Sequence, residues 1–205
     1  MTLTVGIYLF PDVEVLDFAG PYEVFTTASR VALRREPERD APFRVITVAA
    51  AREPVRARAG LLAVPDHTLA DHPPLDLLII PGGVVDAELD QPEVIRWIAA
   101  QAACVPLVAS VCTGAFLLAQ AGLLDGRPAT THWEDLADLR LRFPAVQVME
   151  GPRWVDLGGI VTSAGIAAGI DMSLHLVARL AGRDLALATA RQMDVPWQPD
   201  SGITP

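Results

Sequence analysis

The sequence predicts an α/β fold, a mostly parallel sheet with helices on both faces. Three observations carry this. Apolar, β-branched runs such as Asp76-Leu-Leu-Ile-Ile-Pro81 and Val105 to Val111 suit strands buried on both sides. Between such runs, residues recur at helical spacing, as Val94, Ile95, Ile98 and Ala102 do within Pro92 to Ala103. Strands and helices alternate along the chain, and no internal repeat or low-complexity segment interrupts them.

Taken in order, Thr2 to Phe10 is a first strand ended by Pro11-Asp12. Gly20-Pro21 opens a helix to about Arg30, because proline fits the first helical position. Residues 34 to 42, rich in Arg, Glu and Pro, form a surface loop. Phe43 to Ala50 is a second strand, and 54 to 64 a short hairpin around Ala59-Gly60. The strand 76–81 is closed by Gly82-Gly83, and the helix 92–103 follows. Ala129 to His132 reads as a short strand and Glu134 to Phe143 as a helix. Trp154–Asp156 and Ile160–Ser163 make a hairpin over Leu157-Gly158-Gly159. Ile166 to Ala181 and residues 184 to 193 are helical, and the tail from Pro196 is irregular.

The chain of 205 residues is long enough for one sizeable core and reads as a single domain, 1–205. A net charge of −9 argues against nucleic acid as a partner, since little here could neutralise phosphates. The uncharged stretch 105–124 has the length of a membrane span, but Pro106, Ser110, Thr113, Gly114, Gln120 and Gly122 interrupt it, so no membrane partner is expected. Two cysteines, Cys104 and Cys112, do not make a disulfide framework, and the N-terminus lacks a signal pattern. Both point to the cytoplasm.

The chemistry is expected at residues 105 to 121. Val105 to Val111 reads as a strand and the residues from Thr113 as a helix, with Cys112 at the join. Ser110 and Gly114, two places to either side, match the small-x-nucleophile-x-Gly turn that bends a strand sharply into a helix. Such a turn puts the sulfur at a helix N-terminus, where free N–H groups favour a thiolate. The plainer alternative is a small buried core cysteine.

In open parallel sheets, ligands sit beyond the carboxyl ends of the strands. The loops Asp12 to Gly20, Gly82-Gly83 and Cys112-Thr113 all follow strand ends and should converge. Asp17, between Leu16 and Phe18, is either a cap for the helix at Gly20 or a proton carrier beside Cys112. Gly82 and Gly83 either form a tight turn or present N–H groups to a developing negative charge. Thr113 either caps the following helix or lends its N–H and hydroxyl to the site. His132 is the one histidine placed to partner Cys112, and equally a structural residue at a strand end. His67 and His72 read as surface residues and His175 as a packing residue. The four lack ligand-like spacing, so no metal site is expected.

Five ordered motifs carry a resemblance: Leu16-Asp-Phe-Ala-Gly-Pro21, Leu78-Ile-Ile-Pro-Gly-Gly83, Ala109-Ser-Val-Cys-Thr-Gly114, Ala129-Thr-Thr-His-Trp133 and Thr162-Ser-Ala-Gly-Ile-Ala-Ala-Gly-Ile-Asp171. Over nearly the whole chain the sequence resembles the ThiJ/PfpI family of the class I glutamine amidotransferase-like superfamily. Within it, the isocyanide hydratases and the ligand-sensing domains of AraC-type regulators are most similar. The resemblance implies a flavodoxin-like three-layer sandwich, a homodimer, Cys112 as nucleophile and Gly83 as a backbone oxyanion donor. Asp17 and Thr113 match the hydratase subgroup. Protease-like members carry histidine where this chain has Thr113, and no Cys-His-Glu triad of a true amidotransferase can be assembled.

The activity implied is attack of Cys112 on the terminal carbon of an isocyanide, a small-molecule substrate. Asp17 would move the protons, Thr113 would hold Asp17, and water would release an N-substituted formamide with no cofactor. Three rivals remain: another Cys-dependent amidase, hydrolase or lyase of the family, a free-standing sensor, and a redox protein whose elbow thiolate oxidises to sulfinic acid. The regulators continue with a basic helix-turn-helix, whereas this sequence stops at Pro205, so direct DNA binding is not expected.

Overall fold

In a computed structural model, which describes residues 1–204, eleven strands and seven α-helices alternate as the sequence pattern implies. The strands are β1 (Leu3–Leu9), β2 (Phe43–Ala49), β3 (Val55–Arg56), β4 (Leu62–Ala63), β5 (His67–Thr68), β6 (Leu77–Ile80), β7 (Leu107–Val111), β8 (Pro128–Ala129), β9 (Gln147–Val148), β10 (Trp154–Asp156) and β11 (Ile160–Ser163). The helices are α1 (Val15–Arg35), α2 (Asp86–Leu89), α3 (Pro92–Ala102), α4 (Gly114–Gln120), α5 (Leu136–Arg142), α6 (Ala167–Ala181) and α7 (Arg183–Gln192).

Seven strands form one sheet in the order β10-β11-β7-β6-β1-β2-β5, parallel except for the β10–β11 hairpin. Its central strands are buried on both sides: Val5 to Leu9, Leu77 to Ile80 and Leu107 to Val111 are all in the core. Helices α1, α6 and α7 pack together, and α2, α3 and α4 form the second group. From β1 the chain crosses through α1 to β2, then returns to β6 and crosses through α3 to β7 on the other side. Right-handed crossovers in opposite directions put the two helix groups on opposite faces. The result is a flavodoxin-like three-layer sandwich.

The first helix departs from the expectation at Gly20. It begins at Val15 and places Pro21 in its interior. Packing decided this against the local signal: Phe18, Gly20, Pro21, Val24 and Phe25 are all buried, in a helix packed on the sheet and on α6. Proline there removes only the N–H that would have bonded the Asp17 carbonyl. Asp17 is therefore a first-turn helix residue, not a loop acid and not the cap.

Smaller differences follow the same logic. The strand expected at Ala129–His132 is only Pro128–Ala129, pairing in parallel with β9, and the following helix starts as a 3-10 turn over Trp133–Asp135. His72 is not a surface residue. Its Nε2 accepts a hydrogen bond from Trp97 Nε1 at 3.1 Å, and the rings meet edge to face. His175 packs as expected, stacked on Trp154 with its Nε2 2.6 Å from Asp156 Oδ2. The tail is not wholly irregular: Ile203 pairs with Val155 and extends the sheet along the free edge of β10.

Candidate active site

Strand order reverses between β1 and β6, because the chain leaves these two neighbours for opposite faces. The crevice beyond their carboxyl ends is where such sheets hold ligands. Here the loops after β1 and β6 are tied together: Val13 bridges Gly83, Glu14 N–H donates to the Gly82 carbonyl, and Val84 N–H donates to that of Asp12. The turn after β7 closes the third side.

At that turn Cys112 adopts φ +55°, a left-handed backbone that costs a non-glycine residue about 1–2 kcal/mol. The neighbours enforce it. A Cβ on Gly114 would stand 2.1 Å from the Ile80 carbonyl oxygen, so only glycine lets the new helix cross β6. Cys112 N–H donates to Ser163 O, and the Thr131 hydroxyl donates to Cys112 O at 2.8 Å. The residue is 7% exposed and lines a cavity of about 460 Å³.

Asp17 reaches the same point from α1. It is fully buried, and Oδ2 accepts the Gly82 N–H at 3.1 Å. Oδ1 has no partner that meets hydrogen-bond geometry. The Cys112 thiol and the Ile166 N–H still lie close enough to favour the charged carboxylate. These are close approaches rather than formed hydrogen bonds. Burial dominates and, against the Gly82 N–H and with the charge of Glu14, lifts the Asp17 carboxyl to about 7.

The sulfur is not a resting thiolate. Burial first, then the charge of Asp17, pushes the Cys112 thiol up to about 12, and the Thr113 N–H and hydroxyl offset this only in part. A helix of seven residues does not outweigh that desolvation. At neutral pH the pair is a thiol beside a half-ionised acid.

Thr113 and the glycines are arranged differently from expectation. The Gly83 N–H donates to Thr113 Oγ1 at 2.9 Å, and the Thr113 hydroxyl donates to Gly83 O at 2.9 Å. Thr113 thus holds the glycine loop rather than Asp17. Both glycine N–H groups are occupied, Gly82 by Asp17 and Gly83 by Thr113, so neither is a free oxyanion donor. Their smallness matters instead: a Cβ on Gly82 would meet Thr113 Oγ1 at 2.6 Å and Asp17 Oδ2 at 2.9 Å. His132 lines the cavity but makes no hydrogen bond to Cys112. Its Nδ1 accepts from Glu134 N–H at 3.4 Å and caps the 3-10 turn.

Sequence reasoning missed several residues. Ile166 lines the cavity with φ +53°, an uncommon backbone for a β-branched residue, and its N–H faces Asp17. Arg58, Arg142, Asp135 and Asp138 also line it. Only Thr131 carried a signal, as a polar residue in a run expected to be strand. Among the described residues no three or more His, Cys, Asp or Glu side chains are grouped to hold a metal ion. No helix among them is long and apolar enough to cross a membrane.

Fold and site together define an α/β protein with a strained cysteine at a strand-to-helix elbow and a buried acid beside it. The chain belongs to the DJ-1/PfpI family, whose model matches residues 4–179. It is 37% identical to an isonitrile hydratase of Pseudomonas putida, over 98% of this chain and 83% of that protein. It is also 32% identical to the HTH-type transcriptional regulator GbdR of Pseudomonas aeruginosa, over 90% of this chain but only 48% of the regulator. Among solved structures, a THiJ/PfpI family protein from Pseudomonas syringae superposes with a TM-score of 0.82 at 28% identity, over 98% of this chain and 78% of that one.

Proposed function

We propose that the protein hydrates an isocyanide, or a similar small electrophile, to an N-substituted formamide through Cys112. The observation that carries this is the pairing of a buried thiol with a buried carboxyl group poised near neutrality. The 37% identity to an isonitrile hydratase supports it.

The sulfur attacks the terminal carbon of the isocyanide as Asp17 takes the thiol proton. Asp17 returns that proton to the same carbon, leaving a thioimidate, S–CH=N–R. Water adds across the C=N bond, its oxygen on carbon and a proton on nitrogen. Collapse breaks the C–S bond, releases HC(=O)–NH–R and restores the thiol. Water is the only co-reactant, and the overall change is its addition to the isocyanide. Thr113, through Gly83, keeps the loop after β6 in place for Asp17.

The test is formamide production from an aryl or alkyl isocyanide. Turnover by the wild type that disappears in Cys112→Ala supports the reading, while a silent wild type or an active Cys112→Ala defeats it.

A second reading has one specific support, the match of 90% of this chain to roughly half of a transcriptional regulator. On that reading the same cavity binds a small molecule without turning it over. Ligand binding that survives Cys112→Ala, without formamide, would favour it. In either case we expect a homodimer. The exposed apolar Tyr22 and Val64 line a groove beside Phe18 and suit a self-association surface, which light scattering of the eluted protein checks.

A further inference from the structure

The walls of the cavity above Cys112 are unevenly charged. Two arginines face it, and each is already matched. Arg58 Nη1 lies 3.3 Å from Glu14 Oε2, and Arg142 Nη1 lies 3.0 Å from Asp86 Oδ1. Glu134, Asp135 and Asp138 line the same space with no arginine in ion-pair range among the described residues. Their basic neighbour is His132, 3.7 Å from Glu134 and 3.4 Å from Asp135.

These charges reach the reacting atom. Burial and the charges of Asp138 and Glu134 raise the Asp135 carboxyl, although His132 opposes them. Asp135 in turn adds to the upward push on the Cys112 thiol. A second observation lies deeper, beside the sulfur. Asp17 adds a fourth carboxyl behind the cavity wall, its Oδ1 buried without a formed hydrogen bond and approached by the Cys112 thiol and the Ile166 N–H. A cleft lined by one sign of charge concentrates ions of the other sign and repels its own. Single exposed carboxylates do little, but three around one opening act within a screening length of each other.

We propose that this cavity selects small electrophiles bearing a positive charge, such as an ammonium-substituted isocyanide, and rejects those bearing carboxylate or phosphate. Glu134, Asp135 and Asp138 are the specificity-determining residues. The proposal rests on reading Cys112 as the reacting group, but not on hydration as the reaction.

The experiment compares three methanethiosulfonates on the Cys104→Ala protein, each rate normalised to a free thiol. They carry a trimethylammonioethyl, a methyl or a sulfonatoethyl group. In every case the Cys112 sulfur forms a disulfide with the transferred group, methanesulfinate leaves, and the thiol proton passes to solvent. At about 10 mM salt the cationic reagent should outpace the anionic one by about tenfold or more, with the neutral one between. The ratio should shrink at about 1 M salt and in Glu134→Gln/Asp138→Asn. Equal rates, a faster anionic reagent, or a ratio untouched by the double substitution overturns the proposal. Isocyanide turnover is scored separately. A cationic preference without formamide would keep the charge selection and discard the hydratase.

Discussion

The hydroxyl oxygen of Thr113 stands 2.9 Å from both the amide nitrogen and the carbonyl oxygen of Gly83, so one side chain satisfies both backbone groups of the glycine loop. This ties the turn after β6 to the turn after β7. Thr113→Val keeps the shape and leaves two part-buried backbone groups unpaired. We expect a loss of about 1–3 kcal/mol in urea unfolding, with a fall in formamide production. Thr113→Ser should recover most of both.

The rate should depend on the ionisation of Asp17. As acceptor of the thiol proton it must enter the cycle as carboxylate, and burial holds its carboxyl at about 7. Turnover should therefore rise with pH through about 7 and fall on the acid side. A profile flat between pH 5 and 9 would remove Asp17 from the proton transfers.

The same group makes the fold less stable at neutral pH. Its carboxyl is raised from 3.8 in a free chain to about 7 in the folded one, so the folded state binds more protons in that window. Stability from this source is full below 3.8 and is lost as pH rises through 7. Asp17→Asn should abolish turnover yet raise unfolding stability at pH 8 by roughly 2–4 kcal/mol, with little gain at pH 4. A destabilised Asn variant at pH 8 contradicts this account.

Gly114 tests the elbow itself. Its missing Cβ would lie 2.1 Å from Ile80 O and 2.8 Å from Pro81 O, both backbone atoms of a central strand end. Gly114→Ala should cost about 3 kcal/mol or more and lower the melting temperature sharply. Gly122→Ala is the control. No atom would lie within 4 Å of its Cβ, although φ is +74°, so only the smaller backbone penalty remains.

The elbow could be read from the sequence because its sterics act over two residues on either side, and Ser110 and Gly114 record them. Asp17 was legible as an acid between Leu16 and Phe18, but its helix was not. Gly20-Pro21 is a strong local start signal, and the burial that overrode it comes from α6 and the sheet. Gly82 and Gly83 were found for the wrong reason. Their N–H groups go to Asp17 and Thr113, side chains 65 and 30 residues away. The acidic wall itself is local, since Glu134, Asp135 and Asp138 share one short stretch, but the pairings that neutralise the facing arginines were invisible: Arg58 and Arg142 meet Glu14 and Asp86 from 44 and 56 residues away. Nothing in an isoleucine announces φ +53°, so Ile166 could not have been anticipated.

The last residues described lie along β10 like an eighth ribbon. Arg153 N–H donates to Ser201 O, Ile203 N–H to Trp154 O, and Asp156 N–H to Ile203 O. A preparation clipped ahead of Ser201 would uncover those groups and present a bare hydrogen-bonding rim to its neighbours. Such material should clump edge to edge on storage even though its reactive centre, two strands away, is untouched.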